Sequence, residues 1–350
     1  MEHLRDKRLI IRADASTQIG TGHLMRCLAL AQTWQDSGGH VTFITACQSE
    51  GLLQRLREEG FDIHLLADPY PHPDDWDYTG NVLAGSPGAW VVLDGYHFDE
   101  IYQQRVKQAG HQLLVIDDTA HLKHYYADIV LNQNLGADKL GYSCEPYTCL
   151  LLGTRYVLLR REFLAWKDRQ REIPDVARRV LVTLGGGDPE NHTLKVIQAL
   201  HKMNTADLEA VVVIGASNPH ARVLESAVRQ SPVPIRLTSD ARNMPELMAW
   251  ADVAVSSGGT TVWELAFMGA PAFVAVTTPI EEFLVSGLEK YGLFLSLGWI
   301  SRLPMAQLTE ALNMMIQDKR MRSDMSTLGQ RLIDGAGCDN VLKQLSDRER

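Results

Sequence analysis

Several common features are missing from this 350-residue sequence, and each absence excludes a class of protein. The five cysteines include no Cys-x-x-Cys pair, and an odd, scattered set is typical of reduced thiols rather than of a disulfide framework. No apolar run approaches the roughly 20 residues of a membrane span, and the charged N-terminus does not have the apolar segment of a signal peptide. We therefore expect a cytoplasmic protein with no membrane partner.

Net positive charge and two nucleotide-binding motifs are absent as well. The formal net charge of -9 argues against a nucleic-acid partner, because binding to phosphate backbones needs an excess of Lys and Arg. No glycine loop is followed by Gly-Lys-Ser/Thr, so there is no Walker motif. The pattern Gly20-x-Gly22-x-x-Met25 does not have the third glycine of a nicotinamide-binding fingerprint.

What the sequence does contain is an alternation of short apolar runs and helical stretches. The runs predict strands at 9–11, 41–46, 90–94, 113–117 and 129–131, and again at 180–184, 211–214, 235–237, 253–255 and 272–276. Such alternation is typical of α/β proteins with parallel sheets covered on both faces. The charged segment around Pro174 predicts a connection, so we expect one domain over 1–165, a second over 176–335 and a tail over 336–350, with 68–80 as a loop.

The stretch 12–26 predicts a strand, a glycine loop and a helix. Gly20 and Gly22 have no Cβ, so a ligand can approach the backbone there. His23 falls in the first helical turn, where the helix dipole disfavours the imidazolium, and a neutral ring in a ligand crevice can take a proton from water. The alternative is a polar first-turn residue that merely covers the loop.

Carboxylates follow several predicted strands: Asp14, Asp94, Asp117 and Asp118. One of them could orient His23, since a catalytic base usually has a partner that fixes its tautomer. Helix capping is the alternative role for the others. His121 and His124 beside them raise the weaker hypothesis of a metal site, which no motif for a third ligand supports.

The second strong signal is the run 256–264, in which Ser-Ser-Gly-Gly-Thr-Thr precedes a helix with a carboxylate. Backbone N–H groups and the Thr260 and Thr261 hydroxyls suit a pyrophosphate, and Glu264 can accept hydrogen bonds from both ribose hydroxyls. The alternative is a helix capped by Thr260, which explains one threonine but not the cluster. The loop 185–188 either places backbone N–H groups over the same phosphates or is an ordinary turn.

These stretches together resemble the signature of the PseG family, the UDP-2,4-diacetamido-2,4,6-trideoxy-β-L-altropyranose hydrolases of pseudaminic acid biosynthesis. The similar stretches keep the family's order along nearly the whole chain: 12–14, 19–26, 94–96, 117–118, 127–134, 153–163, 184–189 and 257–264. The second half of the pattern is shared with MurG-like glycosyltransferases. The resemblance implies a GT-B fold, in which two doubly wound Rossmann-like domains have the active site between them.

The resemblance also implies a reaction and a set of site residues. Water displaces UDP from C1 of the sugar with inversion, the residue matching His23 is the base, and no metal or cofactor is required. We take His23, Asp14 and Tyr96 as candidate catalytic residues. The candidate substrate-binding residues are Arg12, Gly20, Gly22, Arg26, Asn132, Gly186, Ser257, Gly259, Thr260, Thr261 and Glu264.

Two other functions stay open at this point. A GT-B glycosyltransferase would transfer the sugar from UDP to an acceptor other than water, and a non-catalytic subunit would only bind the sugar nucleotide. The intact His23 argues against the second, and the missing apolar, basic face argues mildly against a lipid acceptor. The expected partner is a UDP-sugar; the oligomeric state is open, with a monomer as the simplest case.

Overall fold

The computed structural model describes residues 4–16, 18–216, 218–239 and 241–348 and divides the chain into two compact units. The N-terminal domain comprises Met1–Arg161 and Gly335–Arg350, and the C-terminal domain comprises Glu162–Asp334. Thr17, within the stretch 12–26, lies outside the described residues. Among the described residues, no helix combines the length and apolar character that crossing a membrane requires.

The N-terminal domain contains one parallel sheet with the strand order β3-β2-β1-β4-β5-β6-β7. Its strands are β1 (Arg8–Ala13), β2 (His40–Thr45), β3 (Asp62–Leu65), β4 (Trp90–Asp94), β5 (Gln112–Ile116), β6 (Ile129–Asn132) and β7 (Cys149–Leu152). Its helices are α1 (Gly22–Asp36), α2 (Glu50–Glu58), α3 (Pro73–Ala84), α4 (Glu100–Gln108), α5 (Arg161–Leu164, which crosses the domain boundary) and α13 (Gly337–Asp347). Short 3₁₀ helices cover Ala137–Lys139 and Thr154–Tyr156.

Both faces of this sheet are buried, as the continuous apolar runs predict. Alternate residues of β4 show this: Trp90 and Val92 pack in one cluster with α1 and α13, and Val91 and Leu93 pack in another with α4. A side chain at Gly337 would place its Cβ 2.0 Å from the Val157 carbonyl oxygen, so only glycine lets α13 approach the domain this closely.

The C-terminal domain has a second parallel sheet, with the order β10-β9-β8-β11-β12-β13. Its strands are β8 (Arg179–Thr183), β9 (Glu209–Ile214), β10 (Ile235–Ser239), β11 (Val253–Ser257), β12 (Ala272–Val276) and β13 (Leu295–Trp299). Its helices are α6 (His192–Leu200), α7 (Ala221–Arg229), α8 (Met244–Trp250), α9 (Thr261–Phe267), α10 (Pro279–Lys290), α11 (Met305–Gln317) and α12 (Lys319–Leu332).

Both strand orders are those of doubly wound sheets, in which the chain reverses its direction of winding between two adjacent central strands. The reversal lies between β1 and β4 in the N-terminal domain and between β8 and β11 in the C-terminal domain. Ligands bind beyond the carboxyl ends of the strands at this switch point. The predicted fold class, α/β with two doubly wound Rossmann-like domains, is therefore confirmed.

Some predicted elements are wrong. The segment 68–80, predicted as a loop, contains the start of α3, which begins at Pro73 with Asp74 and Asp75 in its first turn. The segment 336–350, predicted as a tail, contains α13, which packs on the N-terminal domain through buried residues such as Val341 and Leu345. Strands β3, β7 and β13 and helix α7 were not predicted. The structure divides the chain after Arg161 and again after Asp334, rather than at 165 and 335.

Candidate functional site

His23 lies at the switch point of the N-terminal domain, in the first turn of α1, as the sequence predicts. Its Nδ1 is 2.6 Å from Oδ1 of Asp94, the last residue of β4. The side chain is 11% exposed, so the ring is largely enclosed but reachable. Among the described residues, every hydrogen-bond contact of this ring involves Nδ1, and Nε2 has no protein partner.

The charge of Asp94 determines which nitrogen of His23 carries the proton. Burial alone raises the pKa of Asp94, but the charge of Arg26 and the contacts with His23 outweigh it and hold the pKa well below its usual range. An ionised carboxylate can only accept, so Nδ1 of His23 must donate its hydrogen to Asp94. The lone pair of the neutral ring is then on Nε2, the atom that a general base needs free.

Arg26, one turn further along α1, ties the ends of two neighbouring strands together. Its Nε and Nη2 donate to the two oxygens of Asp94 at 2.6 and 2.7 Å. Its Nη1 donates to both oxygens of Asp118, which follows β5, at 2.9 and 2.8 Å. Such charge-assisted contacts fix geometry as well as charge. Arg26 is buried and holds Asp94 in place, and its contact with substrate stays a prediction.

Tyr96 closes one side of the His23 ring. The two rings meet edge to face, with centroids 5.1 Å apart, and the Tyr96 hydroxyl donates to Oδ2 of Asp118 at 2.5 Å. Burial, followed by the negative charge of Asp118, raises the pKa of Tyr96 well above its usual range. Tyr96 is therefore a neutral donor beside His23, and its catalytic role stays a prediction.

Asn132 is connected to Asp118 through the side chain of Asn134. It ends β6, and its Oδ1 accepts from the backbone N–H and side-chain amide of Asn134, both at 2.9 Å. Asn134 in turn donates to Oδ1 of Asp118 at 2.7 Å. The Asn132 amide nitrogen donates to the Tyr142 hydroxyl. Asn132 is fully buried and supports Asp118 through Asn134, and its contact with substrate stays a prediction.

Of the carboxylates that could orient His23, the one that contacts the ring is Asp94 and not Asp14, and the catalytic role of Asp14 stays a prediction. Its Oδ1 accepts from Arg12 at 2.5 Å and from the backbone N–H of Ala46 at 2.6 Å, while Oδ2 lies 2.9 Å from Nε2 of His97. The sequence places carboxylates after both β1 and β4, and only side-chain direction decides which one His23 meets.

Arg12 is fully buried in an ion-paired cluster, and its contact with substrate stays a prediction. Its guanidinium pairs with Asp14 and with Asp75 of α3, and it lies 5.0 Å from the centre of the Phe98 ring.

Gly20 adopts φ +81 in a tight loop in which its N–H donates to the Ser16 carbonyl at 2.9 Å. A Cβ at Gly20 would meet nothing, so the positive φ and not space favours glycine there.

The weaker metal hypothesis gains no support. His121 contacts Asp117, whereas His124 contacts Ser143 and Glu145. Within the part of the chain that the structure describes, no group of three or more His, Cys, Asp or Glu side chains is arranged to hold a metal ion.

In the C-terminal domain, the loop from Ser257 to Thr261 follows β11 at the switch point. A Cβ at Gly258 would lie 2.7 Å from Cγ2 of Val285, so glycine is needed for α10 to pack there. A Cβ at Gly259 would meet nothing within 4 Å, so the backbone at Gly259 borders open space. A ligand can therefore approach the chain at Gly259.

The half-buried residues of α9 and its loop share one side. Thr260, Thr261 and Glu264 are half-buried, whereas Val262 and Leu265 are buried. Residues four apart lie on the same side of a helix, so Thr260 and Glu264 point the same way. Thr260 stands at the N-cap position but makes no side-chain capping hydrogen bond, so capping does not account for it. These polar groups are placed as a nucleotide-binding loop would require.

The loop after β8, at the same switch point, contains the residue that caps the next helix, α6. The Asp188 carboxylate accepts from the backbone N–H groups of His192 and Thr193 at 2.8 and 2.9 Å and so caps α6. Gly215 directly follows β9, and a Cβ there would lie 2.2 Å from the Gly186 carbonyl oxygen. The backbones of the loops after β8 and β9 therefore pack closely. The alternative of an ordinary strand-to-helix turn accounts for Asp188, and a contact of Gly186 with phosphate stays a prediction.

Comparison with known proteins agrees with this architecture. Residues 180–282 match the glycosyltransferase family 28 C-terminal domain. MurG of Acinetobacter baumannii has a similar structure, with a TM-score of 0.65 over 97% of this chain and 99% of that chain at 13% identity. The spinosyn rhamnosyltransferase SpnG in complex with thymidine diphosphate is also similar, with a TM-score of 0.63 over 97% and 99% at 14% identity.

Curated relatives extend the similarity to the sequence. An uncharacterized protein of Methanocaldococcus jannaschii is 26% identical over 79% of this chain, which spans only 57% of that protein's length. The spore coat polysaccharide biosynthesis protein SpsG of Bacillus subtilis is 23% identical over 96% of this chain and 97% of its own length. The UDP-2,4-diacetamido-2,4,6-trideoxy-β-L-altropyranose hydrolase of Campylobacter jejuni is 26% identical over 81% of this chain and 97% of its own length.

The resemblance inferred from the sequence is thereby confirmed as a similarity: the chain has a GT-B-type fold, residues 180–282 match the family 28 C-terminal domain, and the chain is similar to a PseG hydrolase.

Proposed function

We propose that this protein hydrolyses a UDP-linked 2,4-diacetamido-2,4,6-trideoxyhexose to UDP and the free sugar, as a step in pseudaminic acid biosynthesis. The observation that carries the proposal is the His23–Asp94 pair, in which Nδ1 is held and Nε2 is free. The substrate class comes from the similarity to the Campylobacter jejuni hydrolase.

In the proposed reaction, the oxygen of water forms a bond to C1 of the sugar while the bond from C1 to the phosphate oxygen breaks. The electron pair of the broken bond leaves with UDP, and the proton of water passes to Nε2 of His23. Asp94 stabilises the imidazolium that results, and Arg26 keeps Asp94 in place. Attack opposite the leaving group inverts the configuration at C1. The scheme needs neither a metal nor a cofactor.

In the same proposal, the UDP group binds to the C-terminal domain. The open backbone at Gly259 and the hydroxyls of Ser257, Thr260 and Thr261 receive the phosphates, and Glu264 accepts from the ribose hydroxyls. UDP is a good leaving group, so hydrogen-bond donors directed at its phosphates stabilise its departure more than a strong general acid would.

Release of UDP in the absence of any acceptor tests this function. We expect the purified protein to release UDP from a panel of UDP-2,4-diacetamido-2,4,6-trideoxyhexoses in buffer alone. In water enriched in ¹⁸O, the label should enter the sugar and not UDP, because the bond from C1 to oxygen breaks. Label found in UDP would overturn the mechanism.

The same assay separates the alternative functions. A glycosyltransferase, which the family 28 domain keeps as the second candidate, would release UDP only when an acceptor is added. A binding subunit would bind UDP but turn over no sugar nucleotide.

A further inference from the structure

The N-terminal domain contains a second histidine–aspartate pair that mirrors the first. His23 follows β1 and contacts Asp94 at the end of β4, whereas His97 follows β4 and contacts Asp14 at the end of β1. Ala13 and Asp94 are register partners, so Asp14 and Asp94 end adjacent strands at the switch point. The two histidines therefore lie at the same edge of the sheet, where ligands of doubly wound domains bind.

The His97 ring is held in one position. Its centroid lies 4.2 Å from that of Phe98, and its Nε2 lies 2.9 Å from Oδ2 of Asp14. A Cβ at Gly95 would be 2.6 Å from the ring's Cε1, so the ring occupies space that only glycine leaves open. A side chain fixed in this way can contact a ligand at little entropic cost.

The free atom of this pair is Nδ1. Burial alone raises the pKa of Asp14, but the hydrogen bond from His97 and the charge of Arg12 outweigh it, so Asp14 is ionised. Nε2 must then donate to it, and the lone pair of a neutral ring is on Nδ1. Among the described residues Nδ1 has no hydrogen-bond partner, and the side chain is 22% exposed.

We propose that Nδ1 of His97 accepts a hydrogen bond from an acetamido N–H of the sugar and so selects diacetamido sugars. This inference rests on the proposed function. The contact with Oδ2 of Asp14 accounts for the Nε2 end of the His97 ring, but it does not account for the partly exposed Nδ1 end. An amide N–H is a neutral donor that an unpaired imidazole nitrogen can satisfy, and hexoses with only hydroxyl groups do not have it.

Two substitutions of His97 test the roles of its two ring nitrogens separately. Gln in His97→Gln can place its amide N–H near Nε2 and keep the contact with Asp14 but loses the acceptor. Asn in His97→Asn can place its amide oxygen near Nδ1 and keep the acceptor but loses the contact with Asp14. Melting temperatures of both variants establish that the domain is folded.

The test compares the diacetamido substrate with two analogues in which one acetamido group is replaced by acetoxy, which has no N–H. We expect His97→Gln to lower kcat/KM for the diacetamido substrate about tenfold, the scale of one hydrogen bond, with no further loss on the analogue that lacks the contacted N–H. His97→Asn should keep the wild-type preference for that N–H. Equal activity of His97→Gln and wild type, or the same tenfold loss on both analogues, overturns the proposal.

Failure of the proposed function gives a different result. Wild-type protein would then release no UDP from any of the three compounds. In that case, calorimetric affinities of the same three compounds for wild type and His97→Gln decide whether His97 makes the contact: a loss of affinity confined to compounds with the N–H supports it, and identical affinities overturn it.

Discussion

The two domains have the same strand order at their switch points but place opposite kinds of residue there. At the N-terminal switch point, buried charged side chains bind one another around His23: Arg26 of α1, Asp94 at the end of β4 and Asp118 after β5. Between β8 and β11, the corresponding loop carries glycine and hydroxyl residues, and the backbone at Gly259 borders open space. The same strand order therefore supports a network of buried ion pairs in the N-terminal domain and a glycine backbone that borders open space in the C-terminal domain.

The difference follows from what each kind of site has to hold. Buried charges are costly unless every lone pair and proton is satisfied, and Asp94 meets this condition by accepting from His23 and Arg26. In return, the carboxylate stays ionised and the tautomer of His23 is fixed. A phosphate ligand brings its own charge, so its site needs free N–H and O–H donors instead. The following predictions test whether the two sites differ in this way.

The largest effect is expected when the base is removed. In His23→Asn the amide N–H can replace Nδ1–H and keep the contact with Asp94, but Nε2 is lost. We expect kcat for UDP release to fall about 10²–10⁴-fold, the usual scale for a general base, with UDP affinity unchanged. The buried His111, whose Nδ1 lies 3.2 Å from the Ala89 carbonyl oxygen, is the matched control, and His111→Asn should keep kcat. A His23→Asn variant within about threefold of wild type would rule out the general-base role.

The next largest effect concerns the charged network itself. Arg26→Met leaves Asp94 and Asp118 buried without their cation, so the free energy of unfolding should fall by about 3–5 kcal/mol, measured by urea denaturation. The control is Arg178→Met in the C-terminal domain, because Arg178 and its partner Asp207 are both exposed and such pairs are worth about 0–1 kcal/mol. Similar losses for the two variants would show that the network is no more than a surface ion pair.

Sequence reasoning found the central strands and missed the edges, for a physical reason. The strands β4 and β11 are buried on both faces, so their apolar runs are continuous and easily read. The edge strands β3 and β7 have only four residues each and are partly exposed; β3 alternates polar and apolar residues, whereas β7 is an apolar run too short to stand out. In α3, Pro73 and the acidic residues after it indicate a helix start as well as a loop, and the sequence analysis chose the loop.

The candidate site was predicted in position but not in its internal contacts. The glycine loop and His23 were found because strand, turn and helix signals follow one another along the chain. Asp94 and Asp14 could not be told apart as partners of His23, because adjacent parallel strands bring both to one edge. His97 was missed, since nothing in its local sequence indicates that it crosses to Asp14. Long-range choices of this kind depend on side-chain directions that periodicity does not encode.

A smaller effect is expected in the C-terminal domain. Glu264→Ala should weaken UDP binding by about 1–3 kcal/mol, because the proposed hydrogen bonds from the ribose hydroxyls to this carboxylate would be lost. Isothermal titration calorimetry with UDP measures this directly. Glu246, an exposed carboxylate in the first turn of α8, is the control, and Glu246→Ala should bind UDP as wild type does. Unchanged affinity of a folded Glu264→Ala variant would remove Glu264 from the site.

The smallest effects on stability and UDP affinity are expected for substitutions of two adjacent glycines, Gly258 and Gly259. Gly258→Ala places a Cβ 2.7 Å from Val285 Cγ2, so it should destabilise the domain by about 1–3 kcal/mol through overpacking. Gly259→Ala meets no protein atom within 4 Å, so stability should change by less than about 0.5 kcal/mol. If phosphates lie against the backbone at Gly259, however, the new methyl group occupies their space, and UDP affinity should fall by about 1 kcal/mol. Melting temperature and UDP calorimetry on both variants give the answer: wild-type UDP affinity in Gly259→Ala would mean that the open space at Gly259 is not where the phosphates bind.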